Sequence, residues 1–318
     1  MAEPLRVLIS STYFGEVAHQ YEAQFREQGI EIVRAQVVER LEEAALLEAA
    51  KDVDGVICGD DRFTARVLRG CPRLKVIAKW GTGIDGIDRE EAKRLGIAVL
   101  NTPNAFTEPV ADVTLGFMLA FARQIPWMDR ALHEGRWEKR PCVTLRECVL
   151  GIVGVGNIGR AVATRAAAFG MRVLGCDPIQ PPADVLAATG LAMVSQDQLL
   201  AQADFISLSC DLNPTSFHLI GERQLALMKP SAVLINTARG AIVDEPALIR
   251  ALQERRIAGA GLDVFEHEPL PAESPLRSMD NCLLAPHHEN SSPTAARHVH
   301  DNTVRNLLSA LRAASAIA

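Results

Sequence analysis

The 318-residue sequence has no long basic run, no repeated or low-complexity segment and no apolar run approaching the ~18 residues of a membrane span. Its formal net charge is −6, from 33 basic and 39 acidic residues, which argues against nucleic acid as the main partner. The N-terminus enters a strand-like run without a charged and then apolar leader. We therefore expect neither secretion nor membrane insertion.

The cysteines lack the pattern of a disulfide framework. There are seven, an odd number, and none forms a Cys-x-x-Cys pair. Most lie in apolar, strand-like runs, where a free and buried thiol is the usual state. The sequence thus predicts a cytoplasmic protein with free thiols and without a metal site.

What the sequence does contain is an alternation of apolar runs with amphipathic stretches. In the first hundred residues, strands are predicted at Leu5–Ile9, Ile30–Arg34, Val53–Cys58, Leu74–Ala78 and Ala98–Leu100. Helices are predicted between them, at Glu16–Gln28, Leu41–Lys51, Thr64–Arg69 and Asp88–Leu95. Such an alternation predicts a parallel sheet in an α/β domain.

A second α/β domain is predicted after Asn101-Thr-Pro-Asn104, which interrupts the first pattern. Thr107-Glu-Pro109 predicts the start of a long helix, with Thr107 as its N-cap. Later strands are predicted at Phe205–Leu208, Val233–Ile235, Gly259–Asp263 and Cys282–Ala285. Helices are predicted near Gln196–Gln202, Glu222–Leu227 and Pro246–Arg255. A final amphipathic helix, Pro293–Leu311, is expected to cross back onto the first domain.

The predicted fold class is therefore α/β, with two doubly wound parallel-sheet domains and a cleft between them. The length suits two domains that each bury a core. We predict one domain from residues 1–102 plus 290–318, and a second from residues 103–289.

Four elements near the middle of the chain follow one another in the order that a dinucleotide site requires. They are the strand Cys148–Val153, the turn Gly154-x-Gly156-x-x-Gly159, the helix Arg160–Phe169 and the strand Met171–Cys176. Gly154 permits the turn, Gly156 lets backbone approach a pyrophosphate, and Gly159 lets helix and strand pack closely. The helix N-terminus adds free N–H groups for the phosphates. A glycine-rich turn without a ligand is the alternative, and the complete setting favours dinucleotide binding.

Asp177 follows the second of these strands. A carboxylate at this place accepts a hydrogen bond from a ribose 2′-hydroxyl and repels a 2′-phosphate. Pro178-Ile-Gln180 comes next and contains no arginine to bind that phosphate. The sequence therefore predicts NAD(H) rather than NADP(H).

Three polar residues follow predicted strands of the second domain: Arg239, Glu268 and His287. Ligands of open α/β sheets bind outside the carboxyl ends of the strands. An arginine fork suits a carboxylate, and a histidine paired with a carboxylate is a proton donor held in one tautomer. Singly, each residue is explained by a surface ion pair or a bond to backbone. Behind a dinucleotide motif, the three together predict reduction of a carbonyl beside a carboxylate.

The sequence resembles the D-2-hydroxyacid dehydrogenase family, which includes D-3-phosphoglycerate dehydrogenase, glyoxylate/hydroxypyruvate reductase and D-lactate dehydrogenase. The resemblance runs from about Leu74 to His287, with a weaker match before it. Besides the glycine motif, it rests on Lys79-Trp-Gly-Thr-Gly-Ile-Asp-Gly-Ile-Asp88, Asn101-Thr-Pro103, Pro109-Val-Ala-Asp112, Asn236-Thr-Ala-Arg-Gly240, Leu262-Asp-Val-Phe265 with Glu268-Pro269, and Ala285-Pro-His287.

The resemblance implies a flavodoxin-like substrate domain, a Rossmann NAD-binding domain that closes over its cofactor, and a homodimer formed through the NAD-binding domains. It implies that Arg239 binds the substrate carboxylate and carbonyl oxygen, that Glu268 orients His287, and that His287 is the general acid/base. The implied substrate-binding loop is Gly81, Thr82 and Gly83. The implied cofactor contacts are Gly154, Gly156, Asn157, Ile158, Gly159, Asp177, Cys210, Ser216, Thr237, Ala238 and Asp263.

Some residues depart from the family pattern. Asp211 replaces a proline and puts a charge near the cofactor's path, and Glu147-Cys148-Val149 replaces Gly-Lys-Thr before the first strand of the motif. His288-Glu289-Asn290 replaces smaller residues and is expected to line the substrate pocket. His288 is also a possible general acid/base, but His287 is preferred because it directly follows Ala285-Pro286.

The substrate is the least determined property. The sequences of the Trp80–Asp88 and Asn101–Asp112 segments are most similar to those of short D-3-phosphoglycerate dehydrogenases. We expect no regulatory domain after Ala318. A substrate phosphate would meet one arginine beside two acids in Gly59-Asp60-Asp61-Arg62. Lys79 could add a second positive charge. Reduction of glyoxylate or hydroxypyruvate is the alternative. A corepressor that senses NAD(H) is a remote alternative. Glu268 argues against formate dehydrogenase, which pairs its histidine with glutamine.

Overall fold

The computed structural model describes residues 4–288 and 290–317. The chain divides into two compact units. The first unit comprises the described residues up to Ala105 and those from Ser292 onward, and the second unit comprises Phe106–Ser291. The predicted boundaries lie at 102/103 and 289/290. Among the described residues, no helix combines the length and apolarity that a membrane crossing requires.

The first unit is built on a five-stranded parallel sheet. Its strands are β1 (Leu5–Ile9), β2 (Ile30–Arg34), β3 (Gly55–Cys58), β4 (Val76–Lys79) and β5 (Ala98–Leu100). Their order, β2-β1-β3-β4-β5, is that of flavodoxin-like folds. β3 and β4 are buried along their whole length, because helices cover both faces of a parallel sheet. The predicted flavodoxin-like architecture is confirmed.

Five helices of the first unit precede residue 105: α1 (Thr12–Val17), α2 (Glu22–Glu27), α3 (Glu43–Ala50), α4 (Ala65–Arg69) and α5 (Arg89–Arg94). The single helix predicted at Glu16–Gln28 is wrong, since α1 and α2 are separated by a 3₁₀ turn at Ala18–Tyr21. The Ser11 hydroxyl accepts the Phe14 N–H and starts α1 at Thr12.

The second unit contains a seven-stranded parallel sheet. Its strands are β6 (Val149–Val153), β7 (Arg172–Cys176), β8 (Ala192–Met193), β9 (Phe205–Leu208), β10 (Val233–Asn236), β11 (Gly259–Leu262) and β12 (Cys282–Leu284). The order β12-β11-β10-β9-β6-β7-β8 is the Rossmann order with a seventh strand at one edge. Val153 lies beside both Cys176 and Leu208, so the carboxyl ends of β6, β7 and β9 are adjacent.

Two helices of the second unit precede its first strand: α6 (Thr107–Arg123) and α7 (Ile125–His133). The helices between its strands are α8 (Asn157–Ala168), α9 (Ala183–Thr189), α10 (Gln196–Gln202), α11 (Glu222–Leu227) and α12 (Glu245–Gln253). Thr107 is not the N-cap of α6, because it is already helical and Phe106 precedes it without a side-chain cap. The left-handed Gln124 (φ 53°) separates α6 from α7. α7, α9 and β8 are not predicted from the sequence, and β8 has only two residues and so no periodicity.

The last helix, α13 (Pro293–Ile317), belongs to the first unit. It packs against β3, β4 and β5 and buries Val299, Val304, Leu307 and Leu311. The fit is close, since a Cβ added at Gly55 of β3 would lie 2.9 Å from Cδ1 of Leu307. The chain therefore returns to its first unit after completing the second, as the sequence predicts.

Candidate active site

The glycine motif forms the turn between β6 and α8, at the carboxyl end of the central strands. Gly154 has φ +93°, and a Cβ there would lie 2.5 Å from the backbone N of Cys210. A Cβ at Gly159 would lie 2.1 Å from the carbonyl oxygen of Gly154. Both positions therefore exclude a side chain because backbone occupies the space.

Gly156 differs from its two neighbours in the motif. Its φ is −73°, and a Cβ there would have no protein atom within 4 Å. α8 begins directly after it, at Asn157, so the N-terminal turn of the helix borders this open space. Such an opening suits a phosphate that approaches the backbone.

Asp177 lies just past the end of β7 and holds the same turn. Its Oδ2 accepts the Val155 N–H at 2.7 Å, and its Oδ1 accepts the Ile179 N–H at 2.7 Å. These bonds fix the carboxylate beside the glycine motif and leave lone pairs for further donors.

The segment after β9 lies against the glycine turn. Burial raises the pKa of the Cys210 thiol to about 11, so this sulfur is a neutral packing group. The Ser216 hydroxyl donates to the Asp211 carbonyl at 2.6 Å and accepts the Asn213 N–H at 2.8 Å. Ser216 therefore closes its own loop, and the Asp211 carboxylate is at the surface.

The residues after β10 form a turn that presents Arg239. The Asn236 side chain donates to the Arg239 carbonyl at 2.9 Å and accepts the Ala238 N–H at 3.1 Å. Thr237 is buried, with its Oγ1 3.0 Å from Oγ1 of Thr114 in α6. The turn is thus fixed by side chains of the same segment and of α6.

Asp263 is fully buried after β11. Its carbonyl accepts the His287 N–H at 2.7 Å, and its Oδ1 accepts the His288 N–H at 3.1 Å. These two bonds hold His287 in a left-handed conformation with φ 52°. The family resemblance implies that Asp263 contacts the cofactor, and this support of the histidine is not predicted from the sequence.

His287 and Glu268 form a partly buried pair. Nδ1 of His287 lies 2.9 Å from Oε2 of Glu268, and their side chains are 14% and 16% exposed. Oε1 of Glu268 accepts the Phe265 N–H at 2.8 Å. An ionised carboxylate only accepts hydrogen bonds, so Nδ1 of His287 carries the proton that is donated to Glu268. Glu268 pairs with His287 rather than with the adjacent His288.

Comparison with known proteins agrees with this geometry. Residues 115–288 match the family model "D-isomer specific 2-hydroxyacid dehydrogenase, NAD binding domain". The chain belongs to this family. A glyoxylate reductase from Korarchaeum cryptofilum is 41% identical over 83% of this chain and 81% of its own length. A D-3-phosphoglycerate dehydrogenase from Methanocaldococcus jannaschii is 41% identical over 84% of this chain and 51% of its own length.

A solved structure extends the likeness to the whole fold. The D-lactate dehydrogenase of Aquifex aeolicus, solved with NAD and lactic acid, superimposes with a TM-score of 0.85. It is 27% identical, over 94% of this chain and 93% of that chain. The protein is thus an NAD-dependent oxidoreductase with the two α/β domains of the family, and the second unit is its NAD-binding domain.

The Gly81–Gly83 segment of the first unit follows β4. Gly81 has φ +116°, and its carbonyl accepts the Thr102 N–H at 2.9 Å. The Thr82 hydroxyl donates to the Thr102 carbonyl at 3.0 Å. Asn101-Thr-Pro103, which the family resemblance singles out, therefore supports this loop from the end of β5.

A second histidine–carboxylate pair lies near the turn after β10. Nε2 of His218 lies 2.5 Å from Oε1 of Glu266, and the His218 N–H donates to the Ala241 carbonyl at 2.9 Å. Gly240 packs here so closely that an added Cβ would lie 1.9 Å from the carbonyl carbon of Phe265. The sequence analysis missed this pair because 48 residues separate its members. Of His288-Glu289-Asn290, expected to line the substrate pocket, Glu289 lies outside the described residues.

Proposed function

We propose that the protein reduces a small, unphosphorylated 2-oxo acid of the glyoxylate or hydroxypyruvate type to its D-2-hydroxy acid. The observation that supports this choice is an ion pair at the carboxyl ends of β3 and β4. Nζ of Lys79 lies 2.9 Å from Oδ1 of Asp60, and the Lys79 side chain is only 8% exposed. The one buried cation of this region is thereby neutralised.

The neighbouring charges do not supply a replacement. Asp61 is buried, where its Oδ2 accepts the Ser10 hydroxyl at 2.5 Å and its Oδ1 accepts the Leu41 N–H at 2.6 Å. Arg62 is exposed. A phosphate dianion needs several charge-assisted donors. Here three acids, including Glu39 within 4.8 Å of Asp60, stand against two cations. 3-Phosphohydroxypyruvate, the substrate that the resemblance favours first, is therefore the second candidate, supported by the 41% identity to a D-3-phosphoglycerate dehydrogenase.

The chemistry follows from the three residues after the strands. Arg239 would pair with the substrate carboxylate through its guanidinium fork and direct a second N–H at the carbonyl oxygen. NADH, when bound, supplies a hydride to the carbonyl carbon. His287 would donate the proton on Nε2 to the carbonyl oxygen, and Glu268 would stabilise the imidazolium and fix its tautomer. Reversal of these transfers oxidises the hydroxy acid, with His287 as the base.

The test is NADH oxidation with a panel that includes glyoxylate, hydroxypyruvate, pyruvate and 3-phosphohydroxypyruvate. We expect kcat/KM for hydroxypyruvate to exceed that for its phosphorylated form by at least about tenfold, which corresponds to ~1.4 kcal/mol. A preference for the phosphorylated acid would refute the substrate assignment and leave the enzyme class intact. Failure to turn over any 2-oxo acid, with NADH bound, would refute the reaction itself.

We infer that the active form is a homodimer that associates through the second unit. Apolar side chains are concentrated on α7 and on the segment that follows it. The exposed ones are Ile125 (56%), Leu132 (53%), Trp137 (84%) and Val143 (46%). Exposed apolar side chains that are grouped on one segment fit a surface that another protein copy covers. Light scattering should give twice the 34.5 kDa chain mass, and Trp137→Asp should shift it toward monomer while Val38→Asp, an equally exposed site of the first unit, should not.

A further inference from the structure

The substrate-loop segment Gly81–Gly83 is preceded by a tryptophan that donates a buried hydrogen bond. Nε1 of Trp80 donates to Nδ1 of His300 at 2.9 Å. Trp80 is 4% exposed and His300, on α13, is 9% exposed. Because Nδ1 accepts here, His300 is the neutral tautomer with its proton on Nε2.

Trp80 is fixed in two further ways. Tyr13, just past β1, stacks on its indole with ring centroids 4.7 Å apart and an interplanar angle of 13°. The Trp80 N–H donates to the Cys58 carbonyl at the end of β3 at 2.9 Å. The hydrogen bond from Nε1 to His300 fixes the rotamer of the Trp80 side chain.

α13 holds the same loop by a second route. Nδ2 of Asn302 donates to the Thr102 hydroxyl at 3.0 Å, and Nδ2 of Asn306 donates to the Asn101 carbonyl at 3.0 Å. Asn101 in turn donates through its side chain to the Thr82 carbonyl at 2.6 Å. α13 thus reaches Gly81–Gly83 from one side through Trp80 and from the other through Asn101 and Thr102.

We propose that His300 is a positioning residue for substrate binding, which through Trp80 sets the backbone amides of Gly81–Gly83 against the substrate carboxylate. This inference rests on the proposed function and on the substrate-binding role that the family resemblance implies for Gly81–Gly83. It assigns a role in affinity for the 2-oxo acid to a helix that carries none of the residues expected to touch substrate or cofactor. Loss of the contact between His300 and Trp80 should raise KM for the 2-oxo acid. It should leave kcat and NADH affinity unchanged, since His287 and Arg239 belong to the second unit.

The surroundings keep His300 neutral near neutral pH. Burial lowers the pKa of His300, and the carboxylates of Asp301 and Glu16 act in the opposite direction. Asp301 is already engaged, because its Oδ1 accepts the Tyr21 hydroxyl at 2.7 Å. Burial, together with this bond, raises the pKa of Tyr21 to about 12, while Arg297 acts to lower it, so Tyr21 stays a neutral donor. Protonation of His300 turns Nδ1 into a donor and removes the acceptor of Trp80.

The test compares two substitutions of equal shape. In His300→Asn, Oδ1 stands where Nδ1 stood and can accept the Trp80 N–H, whereas His300→Leu leaves that N–H buried without an acceptor. A buried donor without an acceptor costs ~1–3 kcal/mol, so we expect KM for glyoxylate to rise about tenfold in His300→Leu. kcat and the Kd for NADH should stay within about twofold. In His300→Asn, KM should be close to that of the parent protein. An unchanged KM in folded His300→Leu, or a fall in kcat alone, overturns the proposal.

Tryptophan fluorescence tests the contact independently of turnover. Emission of the parent protein should change as the pH falls below 6.5, the ordinary value for histidine, and the change should vanish in both Trp80→Phe and His300→Asn. KM for glyoxylate should rise over the same pH range in the parent and not in His300→Asn, a comparison that holds even if His300→Leu fails to fold. Absence of the fluorescence change would overturn the proposed role of His300. If the fluorescence change is present but the protein is inactive on every 2-oxo acid, only the proposed function is refuted.

Discussion

Nδ1 of His287 and Oε2 of Glu268 lie 2.9 Å apart, although 19 residues separate them in the chain. Each partner has its own backbone support. Phe265 donates its N–H to the other oxygen of Glu268 at 2.8 Å, and Asp263 accepts the His287 N–H at 2.7 Å. The pair is therefore held in place before any ligand binds. Under the proposed function, Nε2 of His287 is the nitrogen that exchanges a proton with the substrate.

Removal of this imidazole should abolish proton transfer without disturbing the cofactor site. We expect His287→Ala to lower kcat by ~10²–10⁴-fold, while the Kd for NADH, measured by nucleotide fluorescence, stays within about twofold. Glu268→Gln should also lower kcat, because one amide oxygen cannot accept from both Phe265 and His287. The decrease should be smaller than in His287→Ala, since the imidazole is still present. Near-normal turnover of His287→Ala would show that another group supplies the proton.

Gly156 and Gly159 provide a matched pair for the cofactor site. Gly159→Ala should lower both protein stability and NADH affinity, since its Cβ meets the Gly154 carbonyl at 2.1 Å. Gly156→Ala should leave the melting temperature nearly unchanged, because no protein atom lies within 4 Å of the new Cβ, yet should weaken NADH binding. Thermal unfolding and NADH titration separate the two effects. Unimpaired NADH binding by Gly156→Ala would mean that the pyrophosphate does not lie over this turn.

The Asp177 carboxylate should control cofactor choice. We expect kcat/KM for NADH to exceed that for NADPH by about two orders of magnitude, because a like-charge contact costs several kcal/mol. Asp177→Ser should narrow this ratio, in part by raising KM for NADH, since the Val155 N–H loses its acceptor. Steady-state kinetics with both reduced cofactors measure the ratio, and a preference of the parent enzyme for NADPH would contradict the assignment.

The ion pair between Asp60 and Lys79 should determine discrimination against phosphorylated acids. Asp60→Asn releases the Lys79 charge, so we expect KM for 3-phosphohydroxypyruvate to fall about tenfold relative to hydroxypyruvate. Glu48→Gln, which disrupts the exposed pair with Lys51, serves as the control and should change neither value. If Asp60→Asn affects both acids equally, the pair has a structural role only.

His300 should also contribute to the pH dependence of stability. Because its pKa is lowered in the folded protein, the unfolded chain binds the proton first as the pH falls below 6.5. Its contribution is therefore complete above that pH and is lost as the pH falls toward the folded-state value. Urea unfolding at several pH values should show a shallower loss for His300→Asn than for the parent. His133→Asn, at an exposed site, is the control, and equal slopes for all three would contradict the buried contact.

Much of the secondary structure is evident from local sequence. The strand Phe205–Leu208 has the predicted bounds, because an apolar run marks it. The helix Gln196–Gln202 also has the predicted bounds, and a capping box at Ser195 marks its start. The separate helices α1 and α2 are not predicted, because Ser11 caps a helix that continues through Gly15 and then tightens into a 3₁₀ turn. Hydrophobic periodicity does not register such a change. β8 was missed because two residues carry no pattern.

The sequence by itself determined most of the strands, the glycine turn, Asp177, and the three residues that follow strands β10, β11 and β12, because each depends on neighbours within a few residues. Tertiary structure decided the pairings. It joined Lys79 to Asp60, Asp263 to the backbone of His287, and Trp80 to His300 across 220 residues. Such contacts form only when parallel strands bring their carboxyl ends to one edge and α13 returns to the first sheet, so no local pattern specifies them.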